Sequence, residues 1–122
     1  MSGGGTQVLN PVEVEAAIVA AAAEVSEGVA VVSQRLSAYR DAERKFDAAW
    51  AAAYMTAKGP VEERKQQAVL ATLEERAELD VTEVSYKYAD RRCKAAESRL
   101  SAYQTLAKGV RAMYGAAGTG EY

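Results

Sequence analysis

The sequence predicts an all-α fold over residues 10–115: a long, coiled-coil-like antiparallel helical hairpin that assembles into a four-helix bundle. Alanine occupies 26 of the 122 positions, and the chain has only two prolines. Chains rich in Ala, Glu, Arg, Lys and Leu with few helix breakers are typical of long helices. The run Lys58-Gly59-Pro60 interrupts the helical pattern near its middle. Two long helices joined by a short turn are therefore expected.

The first predicted helix covers residues 11–57. It follows a Gly-rich segment, residues 1–9, that is expected to be disordered. Asn10 is a good N-cap, Pro suits the first helical position, and Glu13 completes a capping box. Gly28 is the one internal weakness, so the sequence leaves open whether this helix breaks there.

The second predicted helix covers residues 60–114, after a turn at 58–60. Gly59 can end a helix in a left-handed conformation, and Pro60 can begin the next helix. Residues 116–122 are expected to form a flexible tail. Because the turn is so short, the two helices must be antiparallel neighbours.

Apolar residues spaced three and four apart predict the packed faces of the two helices. In the second helix, the seam is expected at Cys93, Ala96, Leu100, Tyr103, Ala107, Val110 and Tyr114. A register shift resembling a stutter is expected near Ala89. Upstream of it, the seam is expected at Leu70, Leu73, Ala77, Val81, Val84 and Tyr88. The matching face of the first helix is expected at Val25, Val32, Leu36, Tyr39, Phe46, Trp50 and Ala53.

Charged residues predict how the helices align. If the chain folds at Gly59, the predicted ion pairs are Glu24 with Lys94, Glu27 with Arg91, Arg35 with Glu83, Arg40 with Glu78, and Arg44 with Glu74. Each exposed pair contributes only a few tenths of a kcal/mol. The five pairs together, rather than any single pair, predict the register, meaning which residues of the two helices lie opposite each other.

The composition argues against an enzyme. There is no His, and Cys93 is the only cysteine, so no catalytic residue, metal site or cofactor is predicted. Cys93 is either a buried structural thiol or, beside Arg92 and Lys94, a reactive one. One free thiol and no basic residue in positions 1–9 favour the cytoplasm. No uninterrupted apolar run approaches the roughly 20 residues that span a bilayer, so no membrane contact is expected.

The apolar surface is wider than one partner helix can cover. Residues 16–23 and 48–55 are apolar all the way round, which predicts burial on several sides. A homodimer or another protein partner is therefore expected. Its interface is predicted at Trp50, Tyr54, Met55, Leu36, Tyr39, Leu100 and Tyr103.

A basic stretch supplies the alternative function, DNA binding. The candidate nucleic-acid contacts are Lys87, Arg91, Arg92, Lys94 and Arg99. Lys and Arg can bind phosphates, while Tyr86 and Tyr88 could stack on unpaired bases. The competing interpretation is that these bases neutralise the acidic start of the first helix. The net charge of −2 favours that interpretation.

Three stretches of the chain carry a resemblance to a known group of proteins. They are AYMTAKGPVEERK at residues 53–65, LDVTEVSYKYADRR at 79–92, and LSAYQTL at 100–106 with VRAMYG at 110–115. Over about residues 35–118 the chain resembles small helical-hairpin proteins of actinobacterial tailed phages, encoded among early or DNA-metabolism genes. The resemblance implies a phage accessory protein in the host cytoplasm, acting on replication–recombination proteins or on a host factor. It carries over no catalytic residue.

Overall fold

The computed structural model describes residues 10–119, with side chains as far as Gly115. It contains three helices: α1 (Pro11–Thr56), α2 (Val61–Ala71) and α3 (Leu73–Thr119), and no strand occurs among these residues. The long helices α1 and α3 pack against each other, which confirms the all-α helical hairpin. The predicted segment 1–9 lies outside the described residues.

The contacts of the chain fall into two compact units. The first unit combines the start of α1, through Gly28, with the part of α3 that begins at Arg92. The second unit is Val29–Arg91 and includes α2. In each unit, a segment of α1 packs against a segment of the returning chain.

The start of α1 is capped as the sequence predicts. The backbone N–H of Glu13 donates to Asn10 Oδ1 at 2.9 Å. The Glu13 carboxylate in turn accepts a hydrogen bond from Asn10 Nδ2 at 3.3 Å. Glu13 therefore bonds to the side chain of Asn10, whereas in a capping box it would bond to the backbone N–H. The helix then continues through Gly28 without a break. In the first unit, Gly28 instead allows a close approach, since a Cβ there would lie 3.2 Å from Cys93 Sγ.

The turn between α1 and α2 contains the predicted left-handed residue. Gly59 has a φ of 113°, a conformation that L side chains rarely adopt. Pro60 is the N-cap of α2 rather than its first helical residue, because its ψ of 160° is extended. The side chain of Gln67 donates to the Lys58 carbonyl at 2.7 Å and ties the turn to α2.

The second half of the chain is interrupted at Thr72, where the sequence predicted a continuous helix. Thr72 has φ −121° and ψ 24° and separates α2 from α3. Its hydroxyl donates to the Ala68 carbonyl at 2.8 Å and its N–H to the Val69 carbonyl at 3.2 Å. A threonine that bonds back to the preceding turn competes with regular helix bonding. With only 2% of its surface exposed, Thr72 makes this interruption part of the interior.

The end of α3 also differs from the prediction. The helix continues to Thr119, past the predicted end at residue 114 and into the predicted tail. A glycine inside a helix costs only about 1 kcal/mol relative to alanine. Gly115 therefore does not stop the helix. The remaining tail residues, 120–122, lie outside the described residues.

The packed face of α2 and α3 follows a strict alternation of four and three residues. Its buried and half-buried positions are Ala68, Thr72, Glu75, Leu79, Thr82, Tyr86, Ala89, Cys93, Ala96, Leu100, Tyr103, Ala107 and Val110. The predicted seam is confirmed from Cys93 to Val110, whereas Tyr114 is exposed. The predicted stutter near Ala89 is wrong, because the same alternation continues upstream. The upstream residues that were predicted to be core are on the surface instead.

The packed face of α1 follows the same alternation. Its positions are Val14, Ile18, Ala21, Val25, Gly28, Val32, Arg35, Tyr39, Ala42, Phe46, Ala49 and Ala53. Five of the predicted α1 positions belong to this face. The other two, Leu36 and Trp50, lie one residue beside it and are half-buried.

The predicted register in the first unit is wrong. Glu24 pairs with Arg99 rather than with Lys94. Arg99 lies more than one helical turn further along α3 than the expected partner. The close packing of Gly28 against Cys93 belongs to the same alignment.

The predicted register in the second unit is wrong as well. Arg35 donates to the Ser85 carbonyl at 3.3 Å rather than pairing with Glu83. Glu78 is 3.9 Å from Lys45 and not paired with Arg40. Two of the predicted cations bond within α1 instead, Arg40 to Glu43 and Arg44 to Asp41.

The alignment changes because folding the chain at Gly59 ignored the interruption at Thr72. Near the turn, Arg64 contacts Tyr54, as the predicted fold point requires. Beyond Thr72, the partners on α3 lie further along the chain than predicted.

Candidate protein-interaction surface

An apolar stripe lies on the exposed side of the second unit. We define the outer stripe as Leu70 of α2 together with Leu73, Ala77, Val81, Val84 and Tyr88 of α3. Spacings of three and four residues place the α3 members of the stripe on one face of that helix, and Leu70 lies on α2 just before the interruption at Thr72. Leu70, Val81 and Val84 expose 69%, 68% and 67% of their surface. These are the residues that the sequence predicted to be core.

Exposure of this kind calls for an explanation. Single apolar residues on a surface are ordinary, but a contiguous apolar patch marks an interaction site. Within the second unit, α1 already packs against the opposite side of α3, through positions such as Leu79 and Tyr86. Leu70, Val81 and Val84 of the outer stripe are therefore apolar surface that the contacts inside this unit leave mostly exposed.

The charges around the outer stripe change sign along α3. The first part of the helix is mostly acidic, with Glu74, Glu78, Asp80 and Glu83 against a single Arg76. The following part is mostly basic, with Lys87 and Arg91 against Asp90. Ion pairs within the helix join Arg76 to Asp80 at 3.3 Å and Lys87 to Glu83 at 3.4 Å. These pairs are exposed and leave the overall separation of charge in place.

The predicted interface residues nearest the turn mostly contact their own chain. The rings of Trp50 and Tyr54 stack at 5.3 Å with an interplanar angle of 10°. The Arg64 guanidinium lies 4.4 Å from the centre of the Tyr54 ring and donates to the Tyr54 carbonyl at 3.3 Å. Met55, in contrast, is 79% exposed. Of these three predicted residues, Met55 is the most available to a partner.

The predicted interface residue Tyr39 lies in the packed face of the second unit. Its ring stacks on Tyr86 at 5.9 Å, and its hydroxyl donates to Glu83 at 3.2 Å. Loss of solvent, followed by the nearby carboxylates of Glu43 and Glu83, raises the pKa of Tyr39 above its ordinary value. Tyr39 therefore acts as a neutral hydrogen-bond donor between the helices.

The remaining predicted interface residues are also half-buried. Leu36 lies beside the packed face of α1, and Leu100 and Tyr103 occupy packed positions of α3 in the first unit. These positions make contacts between helices of the same chain. None of the predicted interface residues belongs to the outer stripe.

The predicted nucleic-acid contacts are all exposed. They are Lys87, Arg91, Arg92, Lys94 and Arg99. Lys87 pairs with Glu83, and Arg99 pairs with Glu24 of α1. Arg91 lies on α3 within one turn of Tyr88, at the end of the outer stripe.

The first unit has a cavity of about 200 Å³, lined by Pro11, Val14, Glu15, Ile18, Ala107, Val110 and Arg111. Among the residues that the structure describes, no group of three or more His, Cys, Asp or Glu side chains is placed to hold a metal ion.

Helix α1 is long and apolar enough, by length and composition, to cross a membrane. The apolar window that meets this test is only 6% buried. Glu24 and Glu27 interrupt the apolar residues of this part of the helix, and Glu24 pairs with Arg99. The expectation of no membrane contact stays a prediction.

No family model, curated protein or solved structure matches this chain. Its class is therefore defined by the fold itself: an all-α helical hairpin with a second apolar stripe on its outer side. The phage resemblance stays a prediction.

The sequence contained one signal that could have found the outer stripe. The seam from Ala89 to Val110 extends upstream without a stutter if polar residues are accepted at Thr72, Glu75 and Thr82. The leucine and valine residues of the outer stripe then form a second face. Hydrophobicity alone predicts that the more apolar of the two stripes is the core, whereas in the structure that stripe is the exposed one.

Proposed function

We propose that this protein is a non-enzymatic accessory protein that acts through protein–protein contacts, with the outer stripe as its main contact surface. The observation that carries the proposal is the exposure of Leu73, Val81, Val84 and Tyr88 on one face of α3, with the exposed Leu70 at the end of α2. Burying one such side chain contributes about 1.5–3 kcal/mol. Several together can offset the free-energy cost of association.

The setting of these contacts follows from the resemblance to proteins of actinobacterial tailed phages. It suggests a partner among replication–recombination proteins or host factors, in the host cytoplasm. A second copy of the chain is the other partner that the sequence predicts. The charge separation around the outer stripe gives either partner an electrostatic guide to orientation.

A photo-crosslinking side chain at Val84 tests this function. We expect it to form covalent adducts with protein in cells at a higher yield than a control position, because a photoreactive side chain inside a contact lies against the partner whereas one on the free surface meets mainly water. The control is Gln34, an exposed residue of α1 in the same unit. Adducts are measured on gels and by mass spectrometry.

Equal adduct yields at Val84 and Gln34 would contradict a contact function of the outer stripe. Helical content measured by circular dichroism shows that both labelled proteins are folded.

DNA binding is a second candidate function, favoured by the exposure of all five predicted basic residues. We expect at most weak binding of single-stranded or duplex DNA in filter assays, because Lys87 and Arg99 already pair with acids. The assay compares the unmodified chain with the double variant Arg91→Glu/Arg92→Glu at low and high salt. Tight binding that falls steeply with salt, and is lost in the variant, would replace protein contact by DNA binding as the function.

A further inference from the structure

We propose that the outer stripe binds the same stripe of a second copy of this chain, with the two α3 helices antiparallel. The proposal rests on the proposed function, since it names the partner of the same surface. The two-fold axis would lie between Val81 and Val84. Dimers of this kind, in which one patch pairs with itself, are the commonest homo-oligomers.

The charges along α3 determine the direction. The helix is mostly acidic from Glu74 to Glu83 and mostly basic from Lys87 to Arg91. Parallel helices would place acidic against acidic and basic against basic. Antiparallel helices place each acidic part opposite a basic part, which is the favourable arrangement.

The sizes of the side chains in the outer stripe also fit an antiparallel arrangement of the two α3 helices. With the axis between Val81 and Val84, each Val81 faces Val84 of the second copy. Ala77 then faces Tyr88 of the second copy, so the largest side chain of the stripe lies opposite the smallest. Pairing of large with small side chains lets two helices interdigitate. The part of the stripe that pairs with itself runs from Ala77 to Tyr88, which gives this contact a length of about three helical turns.

The flank of the outer stripe provides a matching ion pair. Asp80 and Lys87 are seven residues apart, so both lie on the same side of the stripe. A two-fold axis between antiparallel helices brings each flank against the same flank of the other copy. Asp80 of one copy therefore faces Lys87 of the other, twice per dimer. Both side chains are more than half exposed and remain available beside their partners within the helix.

Sedimentation equilibrium of the full chain tests the dimer. We expect a dimer at micromolar concentration, and an increase of at least about tenfold in its dissociation constant for Val81→Glu and for Val84→Glu, because each places a charge in the desolvated stripe. The matched control is Val29→Glu, which changes a 56% exposed valine on α1 of the same unit. Circular dichroism checks that every variant stays helical.

A charge exchange tests the antiparallel direction. Asp80→Lys is expected to weaken the dimer, because it places lysine opposite Lys87 of the second copy. The double variant Asp80→Lys/Lys87→Asp is expected to restore dimerisation. A double variant that dimerises no better than Asp80→Lys would overturn the antiparallel arrangement.

Two results of the sedimentation experiment would overturn the self-association. One is a chain that stays monomeric well above micromolar concentration, and the other is a dimer whose dissociation constant is unchanged by both valine substitutions. These outcomes are separate from failure of the proposed function. A monomeric chain that still crosslinks from Val84 to a different protein retains a contact function, whereas absence of adducts at Val84 removes both.

Discussion

The variant Ala42→Asp is expected to lose about 3–5 kcal/mol of unfolding free energy, because it buries a carboxylate that has no built-in partner. Ala42 is 2% exposed and lies in the packed face of α1 in the second unit. Its small side chain allows the helix from the returning chain to pack closely. The measurement is urea denaturation followed by circular dichroism at 222 nm.

The control for Ala42 is the same substitution at Ala48. Ala48 is exposed on the same helix, so aspartate there is expected to cost less than about 1 kcal/mol, the helix-propensity term alone. Equal losses for the two variants would mean that Ala42 is not in an interior between helices. The packing described for the second unit would then be wrong.

The variant Gly28→Leu is expected to lose about 1–3 kcal/mol, because it overpacks the contact with Cys93 in the first unit. A Cβ at Gly28 would lie 3.2 Å from Cys93 Sγ and 3.4 Å from Cys93 Cβ. Leucine adds three more carbon atoms in a direction that is already filled. The loss is measured by thermal and urea denaturation of the full chain.

Two comparisons make the Gly28 prediction specific. Gly109→Leu, at a helical glycine with nothing within 4 Å of its added Cβ, is expected to gain up to about 1 kcal/mol from helix propensity. In a Cys93→Ala background, Gly28→Leu is expected to cost less than in the unmodified chain, since residues in contact couple energetically. A gain in stability from Gly28→Leu itself would show that the two helices are further apart than described.

Residues that begin or end helices made the boundaries of α1 and the turn after it predictable. Asn10, Gly59 and Pro60 each have conformational preferences that act locally, so the cap of α1 and the turn after it follow from sequence. Thr72 was not predicted as an interruption. Its effect depends on being buried, and a buried threonine cannot be distinguished from an exposed one by local sequence.

The packed face was predictable only where one stripe was clearly more apolar than its competitors. From Cys93 to Val110 the packed stripe is the more apolar one, and the prediction is confirmed. Upstream, leucine and valine lie on the outer face while Thr72 and Glu75 lie on the inner one. Hydrophobicity alone therefore selected the wrong face, because the inner face is fixed by continuity with the rest of the helix.

The register was beyond prediction for a different reason. Exposed ion pairs are weak, and pairs within one helix compete with pairs between helices. Arg40 and Arg44 bond to Glu43 and Asp41 on their own helix, which removes both from the predicted set. The candidate surface was missed for a separate reason, because its apolar residues were predicted to belong to the core.

The two faces of α3 have different periods, and this difference limits what can bind outside. The inner face repeats every seven residues, a period associated with a left-handed twist between packed helices. Within α3 the outer stripe repeats every eleven residues, from Leu73 to Val84 and from Ala77 to Tyr88, a period associated with the opposite hand. One helix cannot follow both twists over a long distance, because the two patterns drift apart by about 20° or more per heptad. A helix bound to the outer stripe is therefore expected to cross α3 at an angle and to leave it after a few turns.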